Sequence, residues 1–296
     1  MTLNRRRFLT LSAAALAAGP VAAETRATWR GIALGAPASL QIRGLSQDEA
    51  APIFASVESE LHRLEEIFSL YRPTSALAQL NRTGQLAAPP PELLEILSLS
   101  GHLHHASGGA FDPTVQPLFE AIAKATTEHR AVTDAERAAA VTLVGWNAVN
   151  VQPSQITLTR PGAALTLNGI AQGLITDRIS TLLKAQGLTD VLVDMGEARI
   201  LGGPWRTGIR DTAGQITRRL TLTDKALATS APFGSGFGSE GHIFAPATGQ
   251  TSTTVQIVSV TAPTAALADG LSTALAAGAS KTVVSSFPFA RIAHIS

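Results

Sequence analysis

The chain has 296 residues, 23 Lys and Arg against 22 Asp and Glu, three Trp, one Tyr and no Cys. The absence of cysteine excludes disulfide scaffolds, thiolate nucleophiles and Cys-ligated metals. So few aromatics argue against a nucleic-acid stacking platform, and the length suits one large domain or two interlocked ones.

Arg5-Arg6-Arg7-Phe8-Leu9 has the twin-arginine form Arg-Arg-x-Phe-Leu. A Leu/Ala stretch follows to Ala18, and Val21-Ala22-Ala23 suits signal peptidase. Residues 1–23 therefore read as an export signal, cleaved after Ala23, with the mature domain over 24–296 in the periplasm. The alternative is an uncleaved anchor, but the apolar run falls short of the about 20 residues that span a bilayer. Cleavage removes three of the 23 basic residues and no acid, leaving 20 against 22, a net charge of −2. The basicity belongs to the leader and gives no support for nucleic-acid or anionic-lipid binding.

Beyond the leader, Ala27 to Leu34 and Ser39 to Arg43 read as two strands joined at Gly35-Ala36-Pro37. Gln47 to Phe68 carries apolar residues at helical spacing. A polar turn with the sole tyrosine, Tyr71, precedes one further helical turn, Ala76 to Leu80. Pro89-Pro90-Pro91 opens a helix from about Glu92 to Ala106. That helix holds His102, His104 and His105, which lack metal-ligand spacing and read as solvated or capping side chains. Gly108-Gly109 end it, and Asp112 before Pro113 sits in a rigid turn, by itself a cap for a segment from Val115 to Ala125. Asp134 reads as the cap of a helix from Ala135 to Val141.

Strand signals recur at Ala148 to Val151, Ile156 to Thr159 and Ala164 to Leu167. The last runs into Asn168-Gly169-Ile170-Ala171-Gln172-Gly173 and a helix ending at Gly187. A strand, a glycine-containing turn and a helix N-terminus suit a phosphate, although no Walker loop or dinucleotide fingerprint is present. Asp190 to Met195, Arg206 to Arg210 and Thr217 to Leu222 read as strands. A glycine- and serine-rich loop, Ala228 to Ser239, leads to His242-Ile243 and Pro246-Ala247-Thr248-Gly249. Val255 to Val260 is a strand ending near Pro263, and an Ala/Leu-rich helix follows. Asp269 is the only charge in that helix, and Thr273 lies one turn on, on the same face. A carboxylate and a hydroxyl are hard oxygen donors of the kind Mg²⁺ accepts; the plainer reading is an acid placed near a helix N-terminus. Phe289 to Ile295 is a last strand. Strands and helices in mixed order without steady alternation favour an α+β fold.

Six stretches in this order carry a resemblance. They are Phe68-Ser69-Leu70-Tyr71 with Ser75 and Asn81; Gly108-Gly109-Ala110-Phe111-Asp112-Pro113-Thr114-Val115; Gly169-Ile170-Ala171-Gln172-Gly173 with Asp177; Val193-Asp194-Met195-Gly196; Ala228-Thr229-Ser230 with His242-Ile243 and Pro246-x-Thr248-Gly249; and Ala268-Asp269 with Thr273. Together they resemble the ApbE family of FAD:protein FMN transferases over nearly all of the mature chain. The resemblance implies one large domain of mixed, mainly antiparallel sheets flanked by helices. It implies Mg²⁺-dependent transfer of FMN from FAD to a Ser or Thr hydroxyl of a client protein, with release of AMP. The client motif would be Ser/Thr-Gly-Ala-Ser/Thr-like.

By that resemblance Asp269 and Thr273 look like metal ligands with a backbone carbonyl at Ala171. Tyr71, Ala110, Phe111, Asp112, Thr166, Gly169, Gln172 and Ile243 look like FAD contacts. His242 is the candidate base, with Asp269 the other catalytic residue. The client would be a periplasmic redox flavoprotein, such as a regulator of nitrous oxide reduction or a quinone-reductase subunit. Many members carry Lys where this chain has Gln172, Asp where it has Thr166, Asp where it has Ala245, and Gly where it has Glu197. These departures keep two alternatives open: a non-catalytic flavin-binding or delivery protein, and an FAD pyrophosphatase that releases FMN and AMP.

Overall fold

The computed structural model describes residues 25–234 and 240–296. The leader over 1–23 and residues 235–239 of the glycine-rich loop lie outside the described residues.

Two strands, β1 (Arg26–Ala33) and β2 (Ala36–Arg43), form a hairpin about Leu34-Gly35. Both turn residues have positive φ, 48° and 83°, so Pro37 lies within β2 and not in the turn. The periodic segment is helix α1 (Gln47–Phe68), started by a Ser46–Glu49 capping box. Helix α2 (Ala76–Thr83) runs three residues past its expected end. The three-residue β3 (Gln85–Ala87) was not expected. Helix α3 (Pro91–Ala106) leads through a short 3₁₀ turn, Pro113–Val115, into α4 (Gln116–Thr127). Helix α5 is Asp134–Val141; its cap is Thr133, whose capping box uses Glu136, so Asp134 is the first helical residue. Strands β4 (Val149–Gln152) and β5 (Gln155–Leu158) complete a small sheet with β3.

The expected strand at 164–167 is absent, although these residues are buried. Both backbone groups of Leu165 bond to the Asn81 side chain at 2.8 Å, and the Thr166 N–H donates to the Pro113 carbonyl at 2.8 Å. A side chain and a turn take the place of ladder partners, which satisfies buried backbone without a sheet.

Helix α6 (Ala171–Ala185) precedes β6 (Val191–Asp194), β7 (Ala198–Leu201), β8 (Trp205–Arg210), β9 (Ile216–Leu222), β10 (Ala226–Ser230), β11 (Val258–Ala262), α7 (Ala265–Ala276) and β12 (Arg291–Ile295). Residues 228–230 thus belong to a strand and not to the glycine-rich loop. Among the described residues, β1, β2, β6, β7, β10, β11 and β12 form one sheet in that order, and every ladder is antiparallel. This is an α+β fold.

The period of 2 along each strand separates two cores. Val191, Val193, Ala226, Ala228, Val258 and Val260 face the helices in the main core. Leu192, Ile200, Leu227 and Ile257 face the other way, onto Trp205, Ile209 and Leu222 of the β8–β9 hairpin. The central strands β6 and β11 are therefore buried on both faces. Strand β6 reads as the apolar run Val191-Leu192-Val193, whereas β11 alternates Val258, Val260 and Ala262 with the buried hydroxyls of Ser259 and Thr261, the first of which lies 2.9 Å from the Thr229 hydroxyl. Trp205 donates its indole N–H to Asp190 at 2.7 Å, and the Arg43 guanidinium lies 3.8 Å from its ring centroid. A third, smaller core joins α4 and α5 through Leu118, Ile122 and Ala140 to Phe244.

Candidate active site

Helices α6 and α7 meet at their N-termini. A Cβ on Gly173 would lie 2.5 Å from the Ala265 carbonyl oxygen and 2.6 Å from the Ala266 Cα, so only glycine permits this approach. From α6 the Asp177 carboxylate accepts the N–H groups of Ala265 (2.8 Å) and Ala266 (2.9 Å), which have no partner within their own helix. From α7 the Asp269 carboxylate accepts the Gly173 N–H at 3.2 Å. Each helix supplies a carboxylate to the N-terminus of the other.

This reciprocity gathers the expected metal donors. Asp269 is 3% exposed and Ala171, at the start of α6, is 1% exposed. A Cβ on Gly169 would lie 2.8 Å from Thr273 Cγ2 and 2.9 Å from its Oγ1, so the turn before α6 touches Thr273 directly. The Ser230 hydroxyl at the end of β10 is 2.7 Å from the Ser272 hydroxyl and 3.4 Å from that of Thr273.

Two further carboxylates lie behind Asp269. Asp194 ends β6 and accepts the Gly196 N–H at 3.1 Å. Glu197 starts the return to β7 and accepts the Thr229 N–H at 3.2 Å. Burial pushes the Asp194 carboxyl up to about 6 against that one hydrogen bond. Burial pushes Glu197 well above the usual carboxylate range, and the neighbouring charges of Asp269 and Asp194 add to it. Asp269 is pushed up to about 7, first by burial and then by the charge of Asp177, with the Gly173 N–H opposing. No Lys, Arg or His is ion-paired with these three among the described residues. Nor does any group of three His, Cys, Asp or Glu stand in metal-binding geometry there. The donor set that fits a cation is thus one carboxylate, one hydroxyl and a backbone carbonyl. All are hard oxygens, in a buried site with negative charge that lacks a counter-ion, and the set leaves room in a six-coordinate shell for phosphate and water.

The expected flavin contacts form a second group. His104 Nδ1 lies 3.0 Å from the Phe111 carbonyl, and the Phe111 N–H donates to Ser107 at 3.0 Å. Asp112 accepts the N–H (2.8 Å) and the hydroxyl (2.6 Å) of Thr114, and its other oxygen is 3.5 Å from His104 Nδ1. The Pro113–Thr166 and Leu165–Asn81 bonds hold this turn against the segment leading to Gly169. Ala110, Phe111, Asp112, Thr166 and Gly169 are therefore linked by chain and hydrogen bond. Tyr71 stands apart: it is 70% exposed. Gln172 is 8% exposed, and its amide packs on the Gly196 backbone, 2.5 Å from where a Cβ would sit. A neutral amide thus occupies the ground beside Asp194 and Glu197.

His242 enters from a different direction. Its N–H donates to the Pro232 carbonyl at 2.9 Å, two residues past Ser230. Ile243 packs into the main core and Phe244 into the smaller one. Ala245 offers its backbone groups to Gln250, Thr248 and Gly249 and closes a turn.

The family model of the ApbE family matches residues 34–285. The chain belongs to the ApbE family. A protein from Klebsiella pneumoniae named FAD:protein FMN transferase is 27% identical over 276 residues, covering 86% of this chain and 79% of that protein. A Treponema pallidum protein of the same name is 29% identical, covering 79% and 74%. Among solved structures, the ApbE protein of Thermotoga maritima superposes with a TM-score of 0.78 at 26% identity over 90% of this chain and 93% of that one. The flavin transferase ApbE of Vibrio cholerae shares the fold with a TM-score of 0.75 at 21% identity over 88% and 90%.

Asp177, Asp194 and Ser230 stand in the stretches that carry the resemblance, but the reading of the sequence assigned them no role. Asp177 lies in the second turn of α6, and its target, the N-terminus of α7, is 88 residues away. Ser230 of β10 likewise meets Ser272 of the distant α7.

Proposed function

We propose that this chain is a periplasmic FAD:protein FMN transferase, exported by the twin-arginine route. It moves FMN from FAD to a Ser or Thr hydroxyl of a client flavoprotein and releases AMP. The observation that carries the reading is the α6/α7 crossing, where Asp269 accepts the Gly173 N–H and Thr273 touches Gly169, two residues to either side of Ala171. The names of the relatives support the flavin chemistry, and the Arg5-Arg6-Arg7-Phe8-Leu9 leader supports export.

Asp269, Thr273 and the Ala171 carbonyl would hold Mg²⁺, which when bound supplies positive charge against the pyrophosphate. The N-terminus of α6 adds the positive end of its dipole, although its Ala171 and Gly173 N–H groups already donate to Leu167 and Asp269. The turn Ala110-Phe111-Asp112, with Tyr71, Thr166, Gly169, Gln172 and Ile243, binds and orients the flavin nucleotide. The client hydroxyl oxygen forms a bond to the phosphorus of the FMN half. The bond from that phosphorus to the bridging oxygen breaks, and AMP leaves with that oxygen. His242 takes the hydroxyl proton. The work asked of the protein is alignment and charge stabilisation, with no covalent intermediate on the chain.

The test is to incubate mature protein with FAD, Mg²⁺ and a tagged client carrying the acceptor motif, and to read AMP and client mass together. AMP with a client heavier by one FMN is expected. AMP without a mass gain would replace the reading with an FAD pyrophosphatase. FAD binding without AMP, across a panel of respiratory flavoprotein clients, would replace it with a delivery protein. One observation favours that last reading: the neutral Gln172 amide beside buried Glu197 removes a cation and adds an acid near the phosphate site.

A further inference from the structure

Helices α4 and α5 hold none of the candidate site residues, yet one buried side chain ties them to the His242 limb. Arg137 of α5 is 7% exposed. It donates from Nη1 to the Gly249 carbonyl at 2.6 Å and from Nη2 to Glu240 at 2.7 Å. The other Glu240 oxygen accepts the Thr251 hydroxyl at 2.9 Å, and Thr251 Oγ1 accepts the Gly241 N–H at 3.1 Å. Gly241 precedes His242. Its own packing leaves no slack: a Cβ there would lie 2.3 Å from the Pro232 carbonyl oxygen. One guanidinium therefore fixes both ends of the 240–251 segment, and His242 sits between them. Phe244, two residues on, packs edge-to-face on Phe119 of α4 with centroids 5.0 Å apart.

Stability alone is a poor account of this arginine. Its Nε–H is buried without a hydrogen-bond partner. A buried guanidinium with an unmet donor is a poor stabiliser beside an apolar residue of the same size. What a planar two-pronged donor gives, and an apolar side chain does not, is a fixed register between the limb and α5.

We propose that Arg137 is a positioning residue for FMN transfer, acting through Glu240 and Gly249 to set where His242 stands. The inference rests on the reading of His242 as the base. Arg137 touches no substrate, so its loss lowers turnover and leaves FAD affinity in place.

The experiment is a double-mutant cycle of Arg137→Met with His242→Ala, with kcat and KM for FAD and client, FAD binding and Tm measured for each. Arg137→Met alone is expected to lower kcat on the order of 10- to 100-fold, with KM for FAD little changed and Tm lowered by the loss of the Glu240 and Gly249 bonds. In the His242→Ala background it is expected to cost no more than about twofold, because the residue it positions is gone. Arg137→Lys, which can reach one of the two acceptors, should recover part of the rate. Equal losses in both backgrounds, or a loss carried by KM for FAD, would overturn the proposal. If Arg137→Met fails to fold, Glu240→Gln decides by the same cycle. A wild-type protein that transfers no FMN, or a His242→Ala protein as fast as wild type, would instead remove the reading of His242 and this inference with it.

Discussion

The α6/α7 crossing and the His242 limb are held by different physics. At the crossing, backbone meets backbone. Gly173 leaves no space for a Cβ, and two carboxylates cap the opposing helices. The limb is held by side chains reaching from α4 and α5, through Arg137 and the Phe119–Phe244 contact. The first arrangement allows one geometry or none. The second sets a position that a single substitution can move without unfolding the domain. The proposed metal and phosphate site would gain from the first kind of construction, and the proposed base, which would have to meet a client, from the second.

The sharpest way to break that contrast is at Asp269. Asp269→Ala is expected to lower AMP release on the order of 10³-fold or more and to abolish its response to Mg²⁺. It also leaves the buried Gly173 N–H without its acceptor, so the metal-free protein should lose on the order of 1–3 kcal/mol, and turnover is read where the variant is folded. Turnover that stays Mg²⁺-dependent in this variant would remove Asp269 from the metal site. His242→Ala comes next, with transfer falling by roughly 10²- to 10⁴-fold and FAD binding unchanged by calorimetry. Gly173→Ala attacks the crossing itself. Its Cβ meets backbone that cannot turn aside, so a loss of ~3 kcal/mol in urea unfolding is expected.

Much of the fold was legible because its signals are local. Helix α1 matched its expected bounds because apolar residues repeat cleanly from Ile53 to Phe68 and Ser46 begins a capping box. The doubly buried strand β6 announced itself as the apolar run Val191-Leu192-Val193, and β11 as a β-branched segment ending before Pro263. The illegible parts are those whose partners lie far away in sequence. Residues 164–167 have strand composition, but Asn81 and Pro113 take their hydrogen bonds. Ala228-Thr229-Ser230 has loop composition, but its place between β7 and β11 makes it a strand. In the candidate site, the four-residue spacing put Asp269 and Thr273 on one helical face, and their proposed role came from the resemblance. Its dependence on Gly173 and Asp177 was not, because no spacing reveals which helix another will cross.

The carboxylates behind the crossing give a smaller effect with a definite sign. Asp194 titrates near 6 in the folded chain, raised by burial, against about 3.9 in the unfolded one. The folded state therefore binds the extra proton, and stability falls as pH rises between those values. Glu197 and Asp269 shift the same way. Metal-free protein should lose ~2 kcal/mol through Asp194 alone between pH 4 and pH 7, about 5 °C in Tm. Asp194→Asn should flatten that slope. A Tm that climbs over this interval would mean that the carboxylates are neutralised by something other than protons.

The smallest effect tests the departure from the family pattern at Gln172. Its amide lies on the Gly196 backbone, next to buried Glu197. A lysine placed there has two things to attract it, the FAD phosphates and the Glu197 carboxylate. Gln172→Lys alone should raise AMP release by no more than about threefold, because Glu197 competes for the ammonium. Adding Glu197→Gln keeps an acceptor for the Thr229 N–H and removes the competing charge, and the pair should reach about tenfold, the equivalent of ~1.4 kcal/mol. A gain in the double variant but not in the single one would mean that the two departures compensate each other. A gain of the same size in both would mean that the missing cation alone limits phosphate stabilisation. No gain in either would mean that the crossing, with its metal and helix N-terminus, already supplies the charge this site requires.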